Sequence, residues 1–239
     1  MNYNYILCLK KNDLDMVQRI ANHLIINSSF INNLGLFHGK MGIVVFFYHY
    51  GRYTDHQMYE EFAEELLDEI CEDIHKQLPI DFENGYPGIG WGVEHLASEK
   101  FIDGNTNIVL KEIDKIIMER DVRRISDMSL KTGLEGILHF ILSRIQNNPD
   151  VHSLFDKQYF SDLFNITNCI NRKISEPLSS LIHDYRHWVQ TKELKYNSST
   201  SLHGFYKVKI PNKDNIHEWN LSLDGCAGIG LNIIKRYSY

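Results

Sequence analysis

Four glycine pairs recur along the chain at a nearly constant spacing, and this repeat is the strongest constraint on the fold. Each pair has the pattern Gly-x-x-Gly-Ile, and the pairs begin at Gly39, Gly85, Gly133 and Gly225. Their first glycines are 46, 48 and 92 residues apart, so the last interval holds two repeats. A repeat of this length cannot bury its own apolar face and must stack on its neighbours. We therefore expect about five repeats, one of which, near Ser179, has lost its glycines.

Two kinds of helix are expected to alternate in these repeats. The residues after each glycine pair are apolar on nearly all sides, as in IVVFFYHY at 43–50 and ILHFILSRI at 137–145, which predicts buried inner helices. Longer amphipathic stretches at 14–26, 59–78, 107–118 and 159–174 predict outer helices, and the acidic run at 60–72 predicts a solvated face. The pattern indicates an all-α fold, an (α/α) toroid or partial barrel of helical hairpins, in a single domain over residues 1–239.

Two segments depart from the repeat. Residues 195–218 are polar and read as an irregular excursion over the surface, in which FYKVKI at 205–210 has the alternation of a short strand. Residues 83–92 hold four glycines and a proline, which predicts a wide, irregular loop before the second inner helix begins.

Composition excludes several classes of function. The chain has 239 residues with 25 basic and 31 acidic side chains, a net charge of -6, and no basic run for a nucleic-acid backbone. No apolar stretch approaches the roughly 20 residues that span a bilayer. The four cysteines are scattered without a CxxC pair, so neither a disulfide framework nor a zinc finger is expected. The scattered cysteines and an N-terminus unlike a secretory signal together predict a cytoplasmic protein.

The glycine repeats resemble those of a known family. The segments GLFHGKMGI at 35–43, NGYPGIGWG at 84–92, SLKTGLEGIL at 129–138 and SLDGCAGIGL at 222–231 are similar to the repeats of the lanthionine synthetase C-like family. The resemblance implies an (α/α) toroid whose inner helices begin at GxxG turns. It also implies a relation to zinc-dependent cyclases, which add a peptide cysteine thiol to a dehydroalanine or dehydrobutyrine.

The sequence departs from the cyclases at the metal ligands that the resemblance implies. Their Trp-Cys-x-Gly and Cys-His-Gly segments are absent, and Cys226 follows its glycine instead of preceding it. Of the residues directly before the glycine turns, only His38 has the chemistry of the imidazole and thiolate ligands that the cyclases use. We therefore expect a reduced member with no metal or cofactor, a catalytically degenerate pseudo-cyclase whose partner is a peptide or a peptide-modifying enzyme.

Three residues are candidates for any remaining catalysis. His38 stands before the first turn, where it is either an acid and hydrogen-bond donor or a capping and packing residue. Glu83 precedes the second turn. Cys226 is either a thiol nucleophile or an apolar filler at a helix start.

Five further residues are candidates for substrate binding because they lie in or before the turns: Asn84, Tyr86, Trp91, Thr132 and Asp224. The two aromatic residues are either a stacking surface or a plug of the core. The asparagine and the aspartate have the alternative of helix capping.

Two other hypotheses remain open. A carbohydrate-acting (α/α) toroid would use Glu83 with a second carboxylate such as Asp224, since glycosidases work with a carboxyl pair. A metal-assisted variant would recruit Cys226 with His38 or His203 as ligands.

Overall fold

The computed structural model describes residues 3–74, 77–148, 150–206, 216 and 219–237, and the regular structure in them is helical. The α-helices are α1 (Tyr3–Asn27), α2 (Lys40–Thr54), α3 (Gln57–Asp73), α4 (Tyr86–Ser98), α5 (Thr106–Val109), α6 (Lys111–Glu119), α7 (Leu134–Asn147), α8 (Lys157–Cys169), α9 (Glu176–Thr191), α10 (Ser198–Phe205) and α11 (Cys226–Lys235). These residues contain no strand, so the all-α prediction is confirmed.

The chain forms two compact units. Unit 1 comprises Met1–Lys76 and Leu202–Tyr239, and unit 2 comprises Gln77–Ser201. Unit 1 therefore combines the first and last glycine repeats, and unit 2 holds the second and third. A single domain over residues 1–239 stays a prediction.

The inner helices α2, α4, α7 and α11 each begin at a glycine pair. Their N-terminal caps are the first glycines of the pairs, Gly39, Gly85, Gly133 and Gly225. In α4, every residue from Tyr86 to Leu96 is buried. The expectation of a wide loop over residues 83–92 was wrong, because α4 begins at Tyr86 and the later glycines lie inside the helix.

The first glycine of each pair is there because the turn leaves no room for a side chain. A Cβ atom on Gly85 would lie 1.8 Å from the carbonyl oxygen of Pro79, and one on Gly133 would lie 2.5 Å from that of Asp127. The same carbonyls accept the first helical N–H groups, from Tyr86 at 3.1 Å and from Leu134 at 3.0 Å. Each turn is thus closed by a bond between the main chain and a helix N-terminus, whose N–H groups would otherwise lack partners.

Unit 1 is built around α2, which packs on α3 and α11, while α11 also packs on α1. Gly230 of α11 faces the ring of Phe46 in α2, where an added Cβ would lie 2.3 Å from Cε2. Phe46 in turn stacks on Tyr50 with ring centroids 5.4 Å apart. The close approach of the two helices therefore depends on a glycine that admits a phenylalanine.

Unit 2 repeats this contact between α4 and α7. An added Cβ on Gly90 would lie 2.4 Å from Cε2 of Phe140. Gly90 and Gly230 are each the fifth residue after the first glycine of their pair, and Phe46 and Phe140 are each the seventh. The same repeat positions thus form the same helix contact in both units.

The repeat that lost its glycines is present as α8 and α9. Helix α9 begins at Glu176, close to the predicted position near Ser179, and packs on α7. Ser175 caps this helix, because its Oγ accepts the N–H of Leu178 at 3.2 Å. The same hydroxyl donates to Glu135 of α7 at 3.0 Å. A serine cap replaces the glycine turn at this point.

The outer helices differ from their predicted bounds more than the inner ones. Helix α3 buries Tyr59, Ala63, Leu66 and Ile70 and directs its acidic run toward solvent, as the periodicity predicts. It ends at Asp73, earlier than predicted, and the stretch 107–118 divides into α5 and α6.

Part of the predicted excursion at 195–218 is packed and helical. Tyr196 is buried, and its hydroxyl accepts a hydrogen bond from Nε1 of Trp91 at 2.8 Å. Helix α10 follows directly, so the prediction of irregular structure was wrong for this part. The strand expected at 205–210 falls mostly outside the described residues, and Phe205 ends α10.

A buried ionic cluster in unit 2 departs from the expectation of apolar inner helices. Arg144 of α7 is fully buried and donates to both carboxylate oxygens of Asp114 in α6, at 3.0 and 2.6 Å. It also donates to Glu94 of α4, which accepts a further bond from Asn147. Burial raises the pKa of Asp114 to about 6, against the opposing effect of Arg144. The cluster joins α4, α6 and α7, because each buried charge is stabilised there by a partner of opposite charge.

Candidate functional site

The glycine turns lie side by side in pairs. In unit 1 the fourth turn contacts the first: Oγ of Ser222 donates to the carbonyl of Gly39 at 2.7 Å, and the N–H of Asp224 donates to that of Phe37 at 3.2 Å. We call this contact the first–fourth turn pair. It brings together residues more than 180 positions apart in the sequence.

In unit 2 the second turn contacts the third in an equivalent way. The N–H groups of Phe82 and Glu83 both donate to the carbonyl of Lys131, at 2.8 and 3.0 Å. We call this contact the second–third turn pair. Phe82 lies against Gly136, as Ser222 lies against the corresponding glycine of the first turn, Gly42. One loop-to-loop geometry therefore occurs twice.

Each turn pair carries a carboxylate beside a basic side chain. In the first–fourth pair, Nε2 of His38 lies 3.7 Å from Oδ2 of Asp224, with 35% and 29% of the side chains exposed. In the second–third pair, Nζ of Lys131 lies 3.4 Å from Oε2 of Glu83, with 39% and 21% exposed. Each pair thus offers hydrogen-bond donors and acceptors to a ligand from outside the turns.

The third turn also holds a small polar network around Thr132. The exposed Thr132 hydroxyl donates to Asp127. Oγ of Ser129 lies 3.1 Å from the same Thr132 hydroxyl. The N–H of Ser129 donates to the same aspartate at 2.8 Å. These bonds, that of Thr132 foremost, hold the pKa of Asp127 below its ordinary value, so the carboxylate stays ionised at this turn.

Asn84 and Asp224 stand one position before the N-terminal caps of α4 and α11. Those caps are Gly85 and Gly225, which have no side chain to bond the helix end. The N–H of Asn84 instead donates to Asp81 at 2.7 Å. Both residues belong to the turns that precede the helices.

Trp91 and Tyr86 lie in the core, so of their two readings the structure favours the plug. Trp91 is fully buried and stacks on His95 with centroids 5.1 Å apart. Tyr86 is 7% exposed, and its hydroxyl accepts the N–H of Leu78 at 3.4 Å. A ligand could reach neither ring without opening unit 2.

Cys226 is fully buried at the start of α11, and burial raises the pKa of its thiol to about 12. The thiol is therefore neutral near physiological pH, which suits an apolar filler and not a nucleophile. Nδ1 of His203 lies 2.7 Å from the hydroxyl of Tyr206. In the part of the chain that the structure describes, no three His, Cys, Asp or Glu side chains converge as metal ligands. These residues do not fit the zinc that the cyclases use.

Glu83 faces a cation. Its neighbour across the turn pair is Lys131, whereas a glycosidase needs a second carboxylate facing it across a cleft. The contacts of Glu83 with Lys131 give the carbohydrate hypothesis no support.

The sequence interpretation missed Lys131 and Asp127, the partners of Glu83 and Thr132. A signal for both exists in the repeat alignment. Asp127 stands six residues before its glycine, as Asn33 does before the first turn, and both side chains accept an N–H two residues further on. Lys131 occupies the position of Phe37, whose carbonyl accepts the neighbouring turn in the same way.

No helix among the described residues combines the length and apolar character that a membrane crossing requires.

Searches of the curated proteins and of the solved structures gave no match. A family model described as lanthionine synthetase C-like protein matches residues 30–206, which is well over half of the chain and includes three of the four glycine pairs. The chain belongs to the lanthionine synthetase C-like family.

Proposed function

We propose that this chain binds a ribosomally made peptide or takes part in its maturation, and that it does so without zinc-thiolate chemistry. The observation that carries the proposal is the arrangement of the turns. They pair side by side, and each pair offers a partly exposed carboxylate next to a basic side chain.

A peptide backbone suits such a surface because each residue carries one donor and one acceptor. The His38–Asp224 and Lys131–Glu83 pairs supply partners of both kinds, and their incomplete exposure lowers the competition from water. Thr132 and Asp127 add further polar groups at the third turn. The candidate substrate-binding residues therefore reduce to Asp224, Asn84 and Thr132, and the aromatic pair Tyr86 and Trp91 takes the role of core.

A pseudo-cyclase is favoured by what the turn residues do. The cyclase mechanism needs a thiolate held and activated by zinc. At the turns His38 engages a carboxylate, and the cysteine nearest a turn, Cys226, is buried and protonated. A peptide-modifying enzyme could also be the partner that either turn pair binds, because it too presents main-chain donors and acceptors.

Selection from a randomised peptide library on the immobilised full chain tests this proposal. We expect enriched peptides whose affinity falls about tenfold in Lys131→Gln, because a charge-assisted hydrogen bond is lost. Lys115→Gln is the matched control, since this substitution at an exposed lysine of α6 removes the same charge elsewhere in unit 2. No enrichment, or equal affinity of both variants, would overturn the proposal.

A second measurement addresses catalysis. The full chain is incubated with a peptide that contains one dehydrobutyrine and one cysteine, and the free thiol is followed over time. We expect the same rate of thiol loss with and without the chain. A rate that rises with chain concentration and is abolished by a chelator would show a zinc-dependent cyclase.

A further inference from the structure

Two pockets of unit 2 adjoin at the connection between α8 and α9. The larger has a volume of about 490 Å³ and a mainly apolar wall that includes Met128, Ile166 and the exposed Cys169. The smaller has about 280 Å³. Ile170 and Arg172 line both pockets. Together they reach the size of ordinary small-ligand sites, which begin at roughly 300 Å³.

The smaller pocket is polar and cationic. Its wall contains Arg172, Arg186 and His183 together with Ser179, and no described Asp or Glu lines it. A cavity with this wall favours an anion, because the guanidinium group presents several N–H donors in a planar fork that matches an oxyanion.

Among the described residues, the two arginines donate to main-chain carbonyls and form no ion pair with a carboxylate. Nη2 of Arg172 donates to the carbonyl of Ser126, and Nη2 of Arg186 donates to that of Thr167. Nε of Arg186 is buried and has no hydrogen-bond partner among the described residues. Such an unsatisfied donor is costly, so the described residues leave the hydrogen-bonding capacity of the Arg186 guanidinium incompletely used.

Other arginines of unit 2 show the contrast. Arg123, which also lines the larger pocket, lies 2.8 Å from Asp121 and 4.0 Å from Asp162. Arg144 is neutralised by the carboxylates of its buried cluster. The positive charge of Arg172 and Arg186 has no such carboxylate in the described part of the chain, so it remains available to a ligand.

We propose that this double pocket binds a carboxylate next to an apolar group, as the C-terminal residue of a peptide presents them. The carboxylate lies between Arg172 and Arg186, and the apolar group enters the larger pocket. A peptide end fits because its carboxylate and side chain share one Cα atom, while the two pockets share one wall at Arg172. The assignment to a peptide rests on the proposed function.

The site lies beside the third glycine turn. The bond from Arg172 to Ser126 ties the α8–α9 connection to the main chain directly before Asp127, the residue that closes that turn. In this repeat a serine cap replaces the glycine turn, and the pockets lie along the segment that leads to this cap.

Protection of Cys169 tests the proposal on the full chain, because this exposed thiol lines the larger pocket. The rate of its alkylation is followed by mass spectrometry with hexanoate, with hexanamide and with inorganic phosphate. We expect hexanoate to slow alkylation and hexanamide to have little effect at the same concentration. A short peptide that ends in leucine should protect as the free acid and fail as the C-terminal amide.

Arg172→Gln should weaken protection by hexanoate about tenfold, since a hydrogen bond to a charged group is lost. Arg172 is exposed, so this variant is expected to fold. Arg124→Gln is the matched control, because Arg124 is 86% exposed and lines neither pocket. Equal protection in both variants would overturn the site.

The remaining outcomes separate the site from the proposed function. Equal protection by hexanoate and hexanamide would overturn the carboxylate assignment, and so would protection by phosphate at a lower concentration than hexanoate. Library peptides that bind while hexanoate gives no protection would remove this inference alone. Protection by hexanoate, with no peptide bound in any assay, would support the pocket and contradict the peptide function.

Discussion

Glycine residues of this chain differ in how much room surrounds them. Gly85 has an extended backbone, with φ of -120°, so it is needed for space and not for a left-handed conformation. A Cβ there would overlap the Pro79 carbonyl, which closes the turn. Gly204 in α10 has no atom within 4 Å of an added Cβ.

We predict that Gly85→Ala lowers the free energy of unfolding by about 3 kcal/mol, because the turn has to open to admit the methyl group. Gly204→Ala should raise it by up to about 1 kcal/mol, since alanine restricts the unfolded chain and favours a helix. Urea unfolding followed by circular dichroism measures both. Similar values for the two variants would show that the turn is not closed as described.

The Cys226 thiol gives a prediction about pH. Its raised pKa means that the folded state keeps the thiol neutral, whereas the unfolded state ionises above about pH 8.5. The contribution to stability is thus complete below that pH and is lost as the pH rises toward 12. Wild type should lose more stability than Cys226→Ala between these limits. Parallel curves for the two proteins would mean that the thiol is accessible.

The single residues also show where sequence reasoning stops. The repeat located the four glycine turns because spacing is visible in one dimension. It did not show which side chains the turns bring together, such as His38 with Asp224, because these lie far apart in the sequence. The burial of Trp91 was likewise undecided, since an aromatic residue near glycines has the same pattern on a surface and in a core.

At the scale of helices, the inner pairs α4–α7 and α2–α11 share one contact between a glycine and a phenylalanine. Its positions could have been found by aligning the repeats, because Gly90 and Gly230 coincide, as do Phe46 and Phe140. The alignment of the repeats could not have shown which helix packs against which, because this pairing depends on tertiary packing.

A double-mutant cycle at Gly90 and Phe140 tests this contact. Gly90→Ala should destabilise unit 2 by about 2 kcal/mol through overpacking. In the Phe140→Leu background, where the ring is absent, the same change should cost much less, and the difference is the coupling energy. Additive effects would show that the ring and the glycine do not meet.

The buried ionic cluster gives a second prediction for these helices. Arg144→Met should lower the free energy of unfolding by about 3 to 5 kcal/mol, because Glu94 and Asp114 would stay buried without their cation. The exposed Arg124→Met is the control and should have an effect within about 0.5 kcal/mol. A small loss in Arg144→Met would indicate that water reaches the cluster.

At the scale of the molecule, unit 1 is assembled from the two ends of the chain and unit 2 from its middle. Helix α11 packs on α1 and α2, and Ser222 bonds to the first turn. Unit 1 therefore cannot complete its core before the last repeat is present. The sequence repeat predicted an all-α array of stacked hairpins, but not the division into units, because the repeats look alike wherever they fall.

Ser222→Ala probes this long-range link. We predict a loss of about 1 to 2 kcal/mol in the free energy of unfolding, because the Gly39 carbonyl loses a buried donor. Ser179→Ala, at an exposed serine of α9, should change it by less than about 0.5 kcal/mol. Equal effects would contradict the contact between the first and fourth turns.

The metal content of the purified full chain tests most directly the claim that this family member works without zinc. The chain is expressed with added zinc, dialysed without chelator and analysed for metal per polypeptide. The polar residues of the turns engage one another, so we predict well below one equivalent of zinc per polypeptide. One equivalent of tightly held zinc would contradict it.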